Sequence, residues 1–385
     1  MSLGTGSYDS RFNCMKKIVI VSAINIYVGG PLTILKECVD ALERDFADDF
    51  RIIVLVHKKE LIGNEKVEII EFERSRRSWL FRLYYEYIYF WFFSLKVKPY
   101  LWLSLHDITP NVSSKYKAVY CHNASMFYKM REWEKRFDRT FALFNRFYGY
   151  LYGINIKKND YLIVQQDWLR TEFEQKYGIN NVIVALPVTE QSELSGNLSA
   201  NNSKHSGKFS FFYPSLARTF KNFEILGDAV KLLGERGIDN FEINLTVDGS
   251  ENLYASHIVE KYDSLAPMKF LGLQTKNGVN DLYKKADYLI FPSKLETWGL
   301  PITEFKRYDK PMFVADVNYA KETVGDYKKV NFFDPDDAGQ LAELMAKAIK
   351  GVPSPYDKTS AVNYKEPFVK SWNELFKFLF GRFQD

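Results

Sequence analysis

One stretch decides the expected fold: residues 291–305, with the sequence FPSKLETWGLPITEF. It continues an apolar run, YLIF at residues 288–291, which predicts a buried strand that ends at Pro292. A loop follows, and we predict a helix from Pro301, because proline lacks the N–H group that would be unpaired in a first helical turn. The pattern therefore predicts a strand, a loop and a helix in succession.

The loop before this helix suits an anionic ligand. The amides of Gly299 and Leu300 would lie at a helix N-terminus, where unpaired N–H groups and the helix dipole favour a negative charge. Glu304 would lie inside the helix and Glu296 on the loop before it. A phosphate site flanked by two carboxylates suits a ligand with a diphosphate and hydroxyl groups, such as a nucleotide sugar. The alternative is an exposed helix start with two solvated glutamates.

The spacing of the two glutamates carries a resemblance. Seven residues separate Glu296 from Glu304, within the motif Pro-Ser-x-x-Glu-Thr-Trp-Gly-Leu-Pro-x-x-Glu. This motif resembles the donor-site motif of the retaining GT-B glycosyltransferases of family 4. A Glu-x7-Glu pair alone is weak, but the Pro-Ser and Gly-Leu-Pro around it make the match strong. The resemblance covers nearly the whole chain and is strongest over residues 209–341.

Length and composition limit the class of protein. A chain of 385 residues with 46% hydrophobic residues is long and apolar enough to form two domains with sizeable cores. The net charge of +4 is too small to indicate a nucleic-acid partner. The three cysteines, Cys14, Cys38 and Cys121, lack C-x-x-C spacing, which predicts a reducing cytoplasm and no disulfide framework.

We predict a domain boundary at Val188, because small polar residues then mark a linker or mobile loop. The first 14 residues have no signal-peptide pattern; Met1-Ser2-Leu3 resembles a cloning remnant and Met15 a native start. The expected segments are residues 1–14, a tag or disordered; 15–188, an N-terminal Rossmann-like acceptor domain; 189–207, the linker or mobile loop; 208–366, a C-terminal Rossmann-like donor domain; and 367–385, a helix that packs back on the N-terminal domain.

Two features of the N-terminal half follow predicted strands. Gly29 and Gly30 follow a strand at residues 18–21 and permit close backbone approach to a phosphate, although an ordinary turn explains them equally well. His106 and His122 follow two further predicted strands, where ligands of open α/β sheets bind. The resemblance implies that the two glycines face the donor phosphates and that His122 orients the transferred sugar or stabilises developing charge.

In the C-terminal half, Arg218, Lys221 and Asn222 lie between a predicted strand and a helix. Two cations at such a turn suit a diphosphate, and the alternative is a charged helix start. The resemblance implies donor-phosphate binding by Lys221 with Asn222; Arg218 lies closer to the lysine than in the common pattern. Gly249 matches a glycine of the family.

Two basic and aromatic segments occupy residues 74–95 and 126–151. The first is too polar for a membrane span, which needs about 20 predominantly apolar residues. We expect most of its rings to lie in the core, and the alternative is a face in a membrane interface. The second predicts one amphipathic helix whose basic face is either solvated or attracted to anionic lipid.

The resemblance implies an α/β protein of the GT-B fold, with two Rossmann-like domains facing a central cleft. It implies retaining transfer of a sugar from a nucleoside diphosphate sugar to a saccharide or lipid-linked saccharide, in bacterial surface polysaccharide synthesis. We expect a cytoplasmic protein, peripheral at the inner face of the plasma membrane. Two alternatives stay open: a GT-B nucleotide-sugar epimerase and a non-catalytic nucleotide-sugar binding module.

The resemblance also implies a role in donor binding or catalysis for each of these site residues. Lys221, Arg218 and the helix amides would stabilise the departing diphosphate. Glu304 would bind ribose hydroxyls, and Glu296, Thr297 and Trp298 would contact the sugar. No Asp-x-Asp motif stands at a strand end near this site, and the sequence Asp334-Pro335-Asp336 follows another predicted strand. We therefore expect no metal and no cofactor besides the donor.

Overall fold

The computed structural model describes residues 16–186 and 207–383. The predicted tag (residues 1–14), the predicted start at Met15, the predicted boundary at Val188 and residues 189–206 of the predicted linker lie outside the described residues. Contacts divide the chain into two compact units. The first unit holds the described residues up to Tyr120, Lys158–Tyr161 and those from Trp372 onward, and the second holds Cys121–Lys157 and Leu162–Ser371. The segment boundaries predicted from the sequence stay a prediction.

The strands of both units are parallel to their neighbours. In chain order they are β1 Lys17–Ala23, β2 Phe50–Val56, β3 Glu68–Glu71, β4 Leu101–Ser104, β5 Tyr116–Tyr120, β6 Tyr161–Val164, β7 Val182–Ala185, β8 Phe209–Tyr213, β9 Phe241–Leu245, β10 Met268–Phe270, β11 Tyr288–Phe291, β12 Met312–Ala315, β13 Val330–Phe333 and β14 Phe368–Val369.

Helices connect most of these strands, as parallel pairing requires. They are α1 Gly30–Phe46, α2 Trp79–Tyr84, α3 Phe90–Val97, α4 Arg139–Gly153, α5 Asp167–Tyr177, α6 Phe223–Glu235, α7 Leu253–Tyr262, α8 Lys276–Lys285, α9 Leu300–Lys306, α10 Asn318–Val324, α11 Ala338–Ile349 and α12 Trp372–Arg382. A π-helical turn, Tyr85–Tyr89, joins α2 to α3.

The first unit is built on five strands in the order β3-β2-β1-β4-β5. The middle strand, β1, is buried from Val19 to Ala23, as its continuous apolar sequence predicts for a central parallel strand. The last helix, α12, packs against α1 in this unit: the rings of Phe46 and Phe380 lie 5.2 Å apart. The predicted return of the C-terminal helix to the first domain is therefore confirmed.

The second unit contains a six-stranded sheet in the order β10-β9-β8-β11-β12-β13. Its strands are almost entirely buried because helices cover parallel sheets on both faces. The same unit holds β7, β14 and β6 from Leu162 onward, and β7 pairs with both β6 and β14. Two parallel α/β sheets confirm the predicted fold class.

The helical segment 79–97 overturns one expectation. Its inward face carries Arg82, Glu86, Phe90 and Ser94, four residues apart and all buried. The aromatic rings of this segment lie mostly outward, and Phe92 is 66% exposed. The prediction that most of these rings are core was wrong, because charged residues occupy the side of the helix that packs on the sheet.

The predicted helix over residues 126–151 was too long at its start. Residues before α4 form two short 3-10 turns, Ser125–Phe127 and Glu134–Arg136. The helix begins after Asp138, whose carboxylate accepts a 2.7 Å hydrogen bond from the Phe141 amide and so caps the first turn. Among the described residues, no helix has the length and apolar character needed to cross a membrane.

Candidate active site

The loops after β8 and β11 lie side by side at one edge of the six-stranded sheet. The two strands pair in parallel, with Leu289 opposite Phe212, so their carboxyl ends point the same way. The first loop carries Arg218 and Lys221, and the second carries Glu296. Ligands of open α/β sheets bind at this edge.

Lys221 and Glu296 meet as an ion pair between these loops. Their side chains are 16% and 17% exposed, so solvent reaches both charges only in part. The Tyr213 hydroxyl donates to the Lys221 carbonyl at 2.9 Å, which ties the loop to the end of β8. The structure thus brings together the predicted phosphate-binding cation and the predicted sugar-binding carboxylate.

Arg218 and Asn222 flank Lys221 in different ways. The Arg218 guanidinium lies 3.0 Å from the Asp138 carboxylate and remains 45% exposed. Asn222 is buried in the left-handed conformation, with φ of 60°. Its amide donates to the Pro335 carbonyl at 2.8 Å and to the Pro292 carbonyl at 3.3 Å. Asn222 therefore joins the Lys221 loop to the end of β11.

The turn into α9 requires a glycine. Gly299 has φ of +87°, and a Cβ atom there would lie 3.2 Å from the Tyr319 ring. The helix begins at Leu300, one residue before the predicted Pro301. The indole of Trp298 donates to the Thr303 hydroxyl at 3.0 Å, so the loop is fixed to the first turn of α9.

Glu304 lies on α9 and is held from α8. The Tyr283 hydroxyl donates to its carboxylate at 2.9 Å. Burial and the neighbouring Glu304 raise the pKa of Tyr283, so the phenol remains a donor. This contact fixes the direction of a carboxylate whose predicted role is to bind ribose.

Three glycines outside these loops differ in what they require. Gly29 has φ of +73° and accepts from the Leu32 amide at 3.0 Å, and a Cβ atom at Gly30 would meet nothing within 4 Å. Gly249 has φ of +96°, and its amide donates to Glu251 at 3.0 Å. The Gly249 amide is therefore bound by the Glu251 carboxylate of the same loop. Gly29 and Gly30 belong to the first unit.

The two histidines have different surroundings. His122 is half-buried in the second unit, two residues after the end of β5. His106 is buried in the first unit, with Nε2 3.1 Å from a Glu86 carboxylate oxygen and 3.2 Å from the Ser22 hydroxyl. Burial raises the pKa of Glu86 to about 8, and Arg82 opposes this shift.

Sequence reasoning missed the supporting residues. Tyr283, Tyr319 and Thr323 contact the site from α8 and α10, and Asp138 pairs with Arg218. Asp138 alone had a local signal, since aspartate before a helix is a common cap. The other contacts depend on how helices pack and have no local sequence pattern. Within the two described ranges, no group of three His, Cys, Asp or Glu side chains could hold a metal ion.

Comparison with known proteins identifies the region that carries this site. Residues 197–361 match the family model described as glycosyl transferases group 1. These residues are a group 1 glycosyltransferase domain. The domain contains every site residue described above from Arg218 to Thr323, and its activity is the transfer of a sugar. No curated protein sequence matches the chain.

Solved structures of glycosyltransferases share the fold at low sequence identity. The lipopolysaccharide outer core galactosyltransferase WaaB is 12% identical, with a TM-score of 0.60, over 95% of this chain and 99% of that chain. Sucrose-phosphate synthase from Thermosynechococcus elongatus is 14% identical, with a TM-score of 0.59, over 87% and 90%. Anabaena HepE in complex with UDP-glucose is 15% identical, with a TM-score of 0.52, over 87% and 90%.

Proposed function

We propose that this protein transfers a sugar from a nucleoside diphosphate sugar to a saccharide or lipid-linked saccharide, with retention at the anomeric carbon. The observation that carries the proposal is the contact of Lys221 with Glu296, each on its own loop of the group 1 glycosyltransferase domain. In this proposal Lys221 would bind the diphosphate, and Glu296 beside it would bind sugar hydroxyls. The UDP-glucose bound by HepE supports a nucleotide-sugar donor.

The diphosphate would bind at the cationic loop. Lys221 and Arg218 supply two positive charges, and the guanidinium can bind two phosphate oxygens at once. The amides that open α9 add further donors at the same edge of the sheet. Fixed donors of this kind stabilise charge that develops as the diphosphate departs. We propose that they do so without a divalent metal ion.

The nucleoside and the sugar would bind on either side of the diphosphate. Glu304, oriented by Tyr283, would accept hydrogen bonds from the ribose hydroxyls. Glu296, Thr297 and Trp298 would contact the transferred sugar, and His122 would orient it. Asn222 and Gly249 would shape the loops around the donor.

We also propose that the acceptor is reached at an anionic membrane surface on the cytoplasmic side, in the synthesis of a bacterial surface polysaccharide. Two described surfaces support this. Segment 79–97 exposes Leu80 by 78% and Phe92 by 66%, and helix α4 exposes Leu143 by 60% and Tyr150 by 76%. Exposed apolar side chains beside basic residues favour the membrane interface.

A thermal-shift panel of nucleotide sugars finds the donor, since a ligand at 100 times its dissociation constant stabilises the folded state by about 2.7 kcal/mol. Mass spectrometry of the donor, incubated with and without saccharide acceptors, then identifies the reaction. We expect slow hydrolysis of the donor alone and a larger saccharide when a suitable acceptor is present. Conversion of the donor sugar without any acceptor would instead identify an epimerase.

The third hypothesis, a binding module, predicts affinity for the donor without hydrolysis or transfer. Turnover of the donor by the wild type would exclude the binding module. The Lys221→Ala variant should then lower this turnover while the fold is retained. Lys329→Ala is a matched control: Lys329 pairs with Asp309 at an exposed position of the same unit.

A further inference from the structure

Helix α10 holds the loop that leads to the predicted sugar contacts at two points. The Tyr319 hydroxyl donates to the Ser293 carbonyl at 2.6 Å. The Thr323 hydroxyl contacts the Trp298 carbonyl. Tyr319 and Thr323 are four residues apart on α10, so they lie on the same face of the helix. Residues 293–298, with Glu296 between the two contacts, are therefore fixed at both ends by one helix.

The Thr323 hydroxyl is in turn held by Gln166, which precedes α5. The Gln166 amide nitrogen donates to Thr323 Oγ1 at 2.8 Å and to the Tyr319 carbonyl at 3.2 Å. Its amide oxygen accepts from the Trp168 indole at 2.7 Å. Because the indole can only donate, the orientation of the Gln166 amide is settled.

The direction of this hydrogen-bond chain is settled too. Thr323 has one hydroxyl proton, and the Gln166 amide nitrogen can only donate to it. Thr323 must therefore donate its proton to a carbonyl, either that of Trp298 or that of Tyr319, 2.9 Å away. Gln166 and Thr323 are 0% and 3% exposed, so water cannot replace a lost partner at low cost.

A second contact anchors α10 on the start of α5. The Glu322 carboxylate accepts from the amides of Asp167 at 2.7 Å and Trp168 at 3.2 Å. These are backbone amides of the first helical turn, which have no partner within the helix. Helix α10 therefore joins the N-terminus of α5 to the loop that contains Glu296.

We propose that Gln166 and Thr323 are positioning residues for the transferred sugar. In this role the Thr323 hydroxyl donates to the Trp298 carbonyl, and this contact sets the placement of Glu296 and Thr297. The inference rests on the proposed function of Glu296 and Thr297 in sugar binding. The ribose is assigned to Glu304, which Tyr283 holds from α8 and which this hydrogen-bond chain does not contact. Loss of the chain therefore weakens recognition of the sugar and leaves recognition of the nucleotide nearly intact.

The test compares Thr323→Val, which keeps the side-chain shape and loses the hydroxyl, with Thr323→Ser, which keeps the hydroxyl. Calorimetry measures the affinity for UDP and for UDP-glucose, or for another nucleotide and nucleotide-sugar pair if the wild type binds that pair instead. We expect the valine variant to bind the nucleotide within about twofold of wild type and the nucleotide sugar about tenfold more weakly, as a lost hydrogen bond predicts. The serine variant should restore sugar binding.

Hydrogen exchange in the peptide of residues 293–303 gives a measure without ligand: the valine variant should exchange faster there and the serine variant should not. Equal losses of nucleotide and nucleotide-sugar affinity in Thr323→Val, or no loss at all, would overturn the positioning role. A wild-type protein that binds no member of the nucleotide-sugar panel would instead refute the proposed function, and the exchange measurement would still decide whether Thr323 fixes the loop.

Discussion

The Tyr283 hydroxyl donates a 2.9 Å hydrogen bond to the Glu304 carboxylate, from a side chain that is fully buried between α8 and the sheet. A carboxylate held in this way loses little freedom when it binds a ribose. We expect Glu304→Ala to weaken UDP binding by about 10- to 100-fold, the range for hydrogen bonds to a charged group. Tyr283→Phe should cause a smaller loss. Titration calorimetry with UDP measures both.

Glu296 should behave differently from Glu304, because it lies on the loop before α9 and contacts Lys221. Glu296→Ala is expected to lower turnover and to leave UDP affinity closer to wild type. Glu343→Ala, which alters an exposed pair with Arg236, controls for the loss of a surface carboxylate. Wild-type UDP affinity in both Glu296→Ala and Glu304→Ala would remove the proposed division of roles.

Lys221→Ala should abolish most of the transfer without unfolding the protein. The cation stabilises charge on the departing diphosphate, and loss of one such donor lowers kcat by about 10²- to 10³-fold. Its ammonium supports no apolar core, so the melting temperature should stay near that of wild type. Rates with and without EDTA belong to the same experiment: strict dependence on a divalent ion would contradict the metal-free mechanism.

Local pattern was sufficient to predict β11, the loop and α9. The apolar run before Pro292 and the Gly-Leu-Pro sequence placed the start of the helix within one residue of Leu300. The contact of Lys221 with Glu296 spans 75 residues. It exists because β8 pairs with β11, and the order of strands in a sheet has no local sequence signal. Only the family resemblance predicted that Lys221 and Glu296 belong to the same donor site.

The aromatic pattern of segment 79–97 led to a wrong prediction of which side chains are buried. Aromatic residues usually face a core, yet segment 79–97 packs Arg82 and Glu86 inward. Glu86 contacts His106, which follows the end of β4. Arg82 donates a 2.9 Å hydrogen bond to the His106 carbonyl. Burial raises the pKa of Glu86 to about 8 and so favours the neutral carboxyl inside the protein. Nothing in the sequence of the helix itself reveals those partners.

The buried Glu86 predicts a stability that falls as pH rises. Burial raises the pKa of its carboxyl from 4.5 to about 8, so the folded state holds a proton that the unfolded state has released. The contribution of Glu86 is complete below pH 4.5 and is lost as pH rises through 8. Denaturant unfolding at several pH values measures the slope, and Glu86→Gln should reduce it.

Glu224 and Glu322 should add to that slope, since burial raises the pKa of each to about 7. Glu343→Gln at the exposed surface is the control and should leave the slope unchanged. The groups that face Glu86 are Arg82, His106 and the Tyr87 phenol. Equal pH slopes in wild type and Glu86→Gln would contradict the raised pKa of Glu86.

The outward face of segment 79–97 predicts salt-sensitive membrane binding. Leu80, Ile88 and Phe92 are exposed, and the exposed cations Arg76 and Arg77 precede the segment. Basic residues near an anionic surface contribute about 1 kcal/mol each, and salt screens this attraction within about 8 Å at physiological ionic strength. We expect co-sedimentation with anionic vesicles at low salt and weak binding to neutral ones.

Two sets of variants separate charge from insertion. Charge reversal at Arg76, Arg77, Lys135 and Arg136 should reduce binding most at low salt, where attraction acts over the longest range. Phe92→Ser should weaken binding at all salt concentrations, because it removes apolar area from the interface. Tyr356→Ser is the control, because it removes an exposed ring in the other unit and should have no effect on binding. Phe90→Ser cannot serve as a control, because the Phe90 ring is buried. Equal sedimentation with anionic and neutral vesicles at low salt would leave these surfaces without a membrane role and would favour a soluble acceptor.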